Sequence, residues 1–187
     1  MNTPPIESAY VDANYRFIAG YQEINARVVQ RQHALALYVT LIVGLLAAVV
    51  ALRPSTTTQS APVEWLILGF PGAAICFAFL NYKAERAITN LRTFLAALER
   101  VGGADKALPS YNADPRWSQN ANKARRFHDY ASAVLVAGGN FVGLGAAWAI
   151  HPARMAQAPL FLVAAGLLAA GSLAAVLLTP RWSYKAG

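Results

Sequence analysis

Few side chains in this sequence are placed for chemistry. His128 and Asp129 stand side by side and could form an acid/base couple. Neighbours on a helix diverge by about 100°, so they do not face a common substrate, and a role at a membrane boundary is the simpler expectation. Asn140 is the one strongly polar residue near the middle of a long apolar segment. Its amide needs either a partner across a helix interface, the favoured reading, or water in a pore. Lys123, Arg125 and Arg126 form a basic cluster suited to anionic lipid or another anionic ligand, with each cation gaining about 1 kcal/mol at an anionic surface. A nucleic acid would want stacking aromatics in a concave site, and only Tyr111 and Trp117 are near, so it is not an expected partner. One cysteine, Cys76, and three histidines supply neither an intrachain disulfide nor a zinc set. The chain also lacks a phosphate-cradling glycine loop and a nucleophile elbow, so no enzyme, metal or cofactor is expected.

The elements that carry these residues follow from composition. The chain has 187 residues, 56% hydrophobic and 13% charged, about half the charge of an ordinary soluble domain. The apolar residues gather at 34–52, 63–82, 131–150 and 159–179, without a charge inside each block except Glu64 near the start of the second. A helix needs roughly 17–25 such residues to cross a bilayer, and barrel strands would alternate instead. The expectation is an all-α integral membrane protein with four transmembrane helices. Intramembrane proteolysis, proton relays and ion-coupled transport need ionisable groups within the bilayer, and the middles of these spans hold none.

Orientation follows from the basic residues. Of 16 Lys and Arg, only Arg53 and Arg154 fall in the short segments after the first and third spans. The positive excess marks the cytoplasmic side, so both termini and the central loop are read as cytoplasmic. Residues 1–33 carry charges and no short apolar run, which makes the first span an uncleaved anchor. The division is then a cytoplasmic amphipathic helix at 1–33, a first hairpin at 34–82, a cytoplasmic stalk and loop at 83–130, a second hairpin at 131–179 and a tail at 180–187. Trp65 and Trp148 would mark the outer boundary, and Tyr82, Tyr130, Trp182 and Tyr184 the inner one.

Beyond the second span, Ala84, Ala87, Ile88, Leu91, Phe94, Leu95, Leu98 and Val101 continue an apolar stripe at helical spacing as far as Val101-Gly102-Gly103, where the glycines end the helix. Phe17, Tyr21, Ile24 and Val28 repeat that spacing before the first span. The two stripes should meet as a helical stalk, covering each other or recruiting a cytosolic partner protein. Residues 104–116 should form a loop, and a further helix should start near Trp117. Gly139, Gly143 and Ala147 make a small-residue row in the third span, and Gly166, Ala170 and Ala174 repeat it in the fourth. Such rows serve packing within a bundle or contacts between copies. Pro71, between Gly69 and Gly72, should kink the second span as a static bend or as a hinge. Arg31-Gln32-His33 and Arg126-Phe127-His128, with Arg53-Pro54 and His151-Pro152, form a faint echo between the two hairpins.

The run Tyr21-Gln22-Glu23-Ile24-Asn25-Ala26-Arg27, leading through Arg31-Gln32 into a span, then a hairpin and a long cytoplasmic helix, resembles the SLATT-type bacterial membrane effectors. The resemblance implies a small multi-span protein of the bacterial inner membrane, associated with anti-phage and nucleotide-signalling systems, that oligomerises and permeabilises the membrane. That family's core is one hairpin, whereas this chain has two. The leading expectation is a homo-oligomeric pore or membrane-perturbing effector gated through its cytoplasmic helices by a partner. The alternative is a non-conducting anchor or docking subunit for a cytosolic protein, and a carrier of small neutral solutes is disfavoured.

Overall fold

The computed structural model describes residues 12–53, 62–107 and 109–185. Among these the chain is helical, without strands, in the order α1 (Ala13–Ala51), α2 (Val63–Glu99), α3 (Ala104–Ala107), α4 (Pro115–Ile150), α5 (Pro152–Gln157) and α6 (Pro159–Leu178). The long helices α1, α2, α4 and α6 have the length and apolar content to cross a membrane.

The ends of these helices have local causes. The Asp12 carboxylate accepts from the Asn14 N–H at 3.2 Å and starts α1. Asp114 does the same for the Arg116 N–H at 2.9 Å, with Pro115 in the first turn, so α4 begins two residues before Trp117. The second span runs unbroken through Pro71 into its polar extension, and α2 ends at Glu99. A 3₁₀ turn follows, closed by Gly103 at φ +74°, a conformation that only glycine adopts without strain.

The four long helices form a bundle in the order α1, α2, α6, α4, with α2 touching all three others. Ile67, Phe70, Ala74 and Phe77 of α2 are fully or almost fully buried against Val49, Val136, Ala147 and Ala165. The third-span row is used inside the bundle. A Cβ on Gly139 would lie 2.7 Å from Tyr38 Oη of α1, and one on Gly143 would strike the Phe70 ring of α2. Ala147 is buried beside them, whereas Gly166 and Ala170 of α6 are exposed and a Cβ on Gly166 meets open space. In α2, a Cβ on Gly69 would come within 3.0 Å of Leu45, and Gly72 has nothing near it.

Two expectations change here. Residues 151–158 are not a plain loop: α5 packs Met155 into the core, His151 Nε2 lies 3.3 Å from the Val49 carbonyl, and Arg154 pairs with Glu64 at 3.0 Å. The expected apolar stripes are also only partly buried. On α2 the buried line is Ile88, Arg92, Leu95 and Ala96, leaving Leu91 and Leu98 half-buried and Phe94 exposed. On α1 Gly20 is buried against Leu95 and Ile24 is half-buried, while Tyr21 and Val28 are exposed. Close approach at Gly20 sets this phase, because the helix with no side chain at the contact turns that face inward. The short segment after the first span falls largely on 54–61, and the start of the helix expected at 1–33 on 1–11, both outside the described residues.

Candidate functional site

Where the apolar spans give way to the polar extension, three helices bring four charged side chains together. Arg31 comes from α1, Glu85 from α2, and Arg125 and Asp129 from α4, one turn apart. Arg31 Nη2 lies 2.6 Å from Asp129 Oδ1 and its Nη1 3.4 Å from Glu85 Oε2. Arg125 Nη2 lies 2.7 Å from Glu85 Oε1. The side chains of Arg31, Glu85 and Asp129 are 5%, 1% and 4% exposed, so their charges are held by each other rather than by water. Two cations face two carboxylates, and a buried group of this kind persists only when its charges balance.

A second polar network continues along the extension. Arg92 donates through Nε to Asn112 Oδ1 at 3.2 Å and through Nη1 to Asn122 Oδ1 at 3.1 Å, and its guanidinium sits 4.9 Å from the centre of the Tyr184 ring. Asn122 Nδ2 donates to the Tyr184 carbonyl at 2.7 Å, and the Tyr184 hydroxyl to the Asn112 carbonyl at 2.9 Å. The Glu99 carboxylate accepts from Ser110 Oγ, from the Asn112 N–H at 2.9 Å and from the Ala113 N–H at 3.0 Å. The loop and the C-terminal segment are thus fastened to α2 and α4. The Thr89 hydroxyl lies 2.9 Å from the Trp182 carbonyl and 3.4 Å from Glu85 Oε1, which ties the C-terminal segment to the ionic cluster.

On the apolar side of the cluster, buried polar side chains continue up the inward faces. Asn81 stands one turn before Glu85 on α2, with Ser132 and Asn140 further along α4. All three are buried. Asn81 has no partner at either amide atom, Ser132 Oγ has none, and Asn140 satisfies only its nitrogen, which donates 2.8 Å to the Val136 carbonyl of its own helix. Polar side chains buried in a bundle interior cost free energy unless they find a partner.

The sequence-selected residues distribute unevenly around this site. Asn140, Gly139 and Gly143 face the bundle interior, and the Asn140 amide nitrogen bonds within its own helix rather than across a helix interface. Arg125 belongs to the ionic cluster, which separates it from the exposed Lys123 and Arg126. Asp129 is paired and 4% exposed at its side chain rather than solvated at a boundary. Tyr184 is buried under Arg92, while Tyr82 and Trp182 stack edge-on at 5.1 Å. Glu85, Arg92 and Asn81 were not singled out by the sequence. The available signal was spacing, since Glu85 lies three residues before Ile88, Arg92 four after it and Asn81 seven before it, which puts them on one helix face. No known protein family, curated protein or solved structure matches the chain.

Proposed function

We propose that the chain is a multi-pass bacterial inner-membrane protein, with both termini cytoplasmic, that acts as a homo-oligomeric pore or membrane-perturbing effector held closed by the ionic cluster. The observation that carries this reading is the set of inward polar side chains, the cluster of Arg31, Glu85, Arg125 and Asp129 together with the buried Asn81, Ser132 and Asn140. A purely anchoring bundle gains nothing from buried polar side chains, each of which costs free energy unless partnered. In a conducting state the same side chains meet water. Val136, Phe77 and Phe70, each at most 2% exposed, close the interior of a single copy, so opening requires the bundle to rearrange. The cluster is suited to govern that step, because it binds the cytoplasmic extension to the inner mouth of the bundle. The exposed row of Gly166 and Ala170 on α6 fits contact between copies. The SLATT-type resemblance and the possible hinge at Gly69, Pro71 and Gly72 agree with this reading.

A second reading has its own observation. Tyr15, Ile18, Tyr21 and Val29 on α1 are 70%, 53%, 52% and 63% exposed, an apolar surface suited to a cytosolic docking partner of a non-conducting anchor. Ion flux through purified chain in liposomes separates the two. The pore reading expects Glu85→Gln to raise flux and Asn140→Leu to change it at matched insertion and oligomer size. Absence of flux from assembled wild type and from Glu85→Gln, with and without cell extract as trigger, refutes it in favour of the anchor.

A further inference from the structure

We propose that the cleft between α1 and α2 at the inner boundary is a binding site for one anionic phospholipid. The inference rests on the membrane placement above. A cavity of about 330 Å³ opens between these helices, lined by Arg27, Gln30, His33, Leu37, Leu80 and Lys83 among others. Its chemistry changes with depth. Leu37 and Leu80 lie within the first and second spans, about one turn from the boundary, and both are exposed rather than covered by the bundle. His33 and Lys83 are the polar residues that immediately bound those spans. Arg27 and Gln30 follow one to two turns further out.

A phospholipid presents the same sequence along its length: acyl chains, then glycerol, then phosphate. Acyl chain lies over Leu37 and Leu80, and the phosphate takes the Lys83 ammonium and the Arg27 guanidinium, with Gln30 and His33 as further polar contacts. Arg27 already pairs with Glu23 and donates from Nη1 to Gln30 Oε1 at 3.1 Å, which fixes its fork at the cleft. Its Nε is buried with no partner. Glu23 neutralises part of the charge, leaving Lys83 as the cation whose charge no carboxylate in the cavity lining offsets. A zwitterionic lipid offers the same phosphate but adds a positive amine, so the cationic cleft selects for net negative head groups. Basic pockets between membrane helices on the cytoplasmic side recognise anionic lipids on this principle.

Native mass spectrometry of the purified full-length chain, titrated with dioleoyl phosphatidylglycerol or dioleoyl phosphatidylcholine, tests the site. Wild type should retain phosphatidylglycerol in preference, and Lys83→Gln should weaken that binding about fivefold. Lys83 is exposed, so this variant should fold, and an unchanged melting temperature in neutral detergent verifies it. The control Lys106→Gln, which removes one exposed cation on α3 away from the cleft, should bind like wild type. Equal retention of the two lipids, or equal weakening in Lys83→Gln and the control, overturns the proposal. So does displacement of phosphatidylglycerol by millimolar inorganic phosphate, which would mark a free-anion site. Flotation of wild type with pure phosphatidylcholine vesicles checks the membrane placement separately: failure to float sinks both readings, and flotation without lipid preference sinks the site alone.

Discussion

Glu85→Gln breaks the ionic cluster at the acceptor that two arginines share. In the native arrangement the Glu85 carboxylate lies 2.7 Å from Arg125 Nη2 and 3.4 Å from Arg31 Nη1, with its side chain 1% exposed. The amide keeps shape and volume but removes the charge. Arg31 still has Asp129 at 2.6 Å, whereas Arg125, with its side chain 17% exposed, is left without its ion-pair partner. Removing one partner of a buried pair costs about 3–5 kcal/mol. In a chain of this size each kcal/mol moves the melting temperature by about 2–4 °C, so the variant should melt about 6–20 °C lower. Circular dichroism melts at fixed detergent and protein concentration measure it. Glu85→Gln/Arg125→Gln restores the charge balance and should lose less than the sum of the two single variants. Replacing all four residues by Met or Leu should leave stability unchanged or raised by about 1–4 kcal/mol. A Glu85→Gln melt within about 2 °C of wild type, together with additive single-variant losses, would refute the reasoning: water would then reach the cluster and the ions would not hold the helices together.

Gly143→Ala places a methyl group against the Phe70 ring and should cost about 1–3 kcal/mol, whereas Gly166→Ala meets open space and should not lower stability; parallel melts compare them. Arg92→Lys keeps the charge but loses the fork that reaches both Asn112 and Asn122. The C-terminal segment should then loosen, read as faster trypsin cleavage at Arg181. The Arg116 side chain and backbone N–H hold the Asp114 carboxyl below its ordinary range. Protection of the first turn of α4 should therefore be complete above the ordinary carboxylate range and fall as pH drops through that lowered value. Hydrogen exchange at residues 116–118 measures it, and Asp114→Asn should abolish the pH dependence.

The sequence by itself determined the segmentation. Uninterrupted apolar blocks at 34–52, 63–82, 131–150 and 159–179 can only be long helices, and the Asp114-Pro115 and Gly103 signals locate ends within a few residues, because capping is local chemistry. Tertiary structure alone decided which faces turn inward. Along α2 from 84 to 98, apolar residues occupy more than one face, and the true contact line contains Glu85 and Arg92. A stripe drawn from hydrophobic residues alone therefore takes in the buried Ile88 and Leu95 together with the exposed Phe94, and passes over Glu85 and Arg92. The cluster itself was invisible for a related reason. Arg31 meets Asp129 at a sequence separation of 98 residues, and Glu85 joins residues on two other helices. A charge next to an apolar span reads locally as a solvated boundary residue. Only the packing of α1 and α4 against α2 removes most of the water and sets these charges against one another.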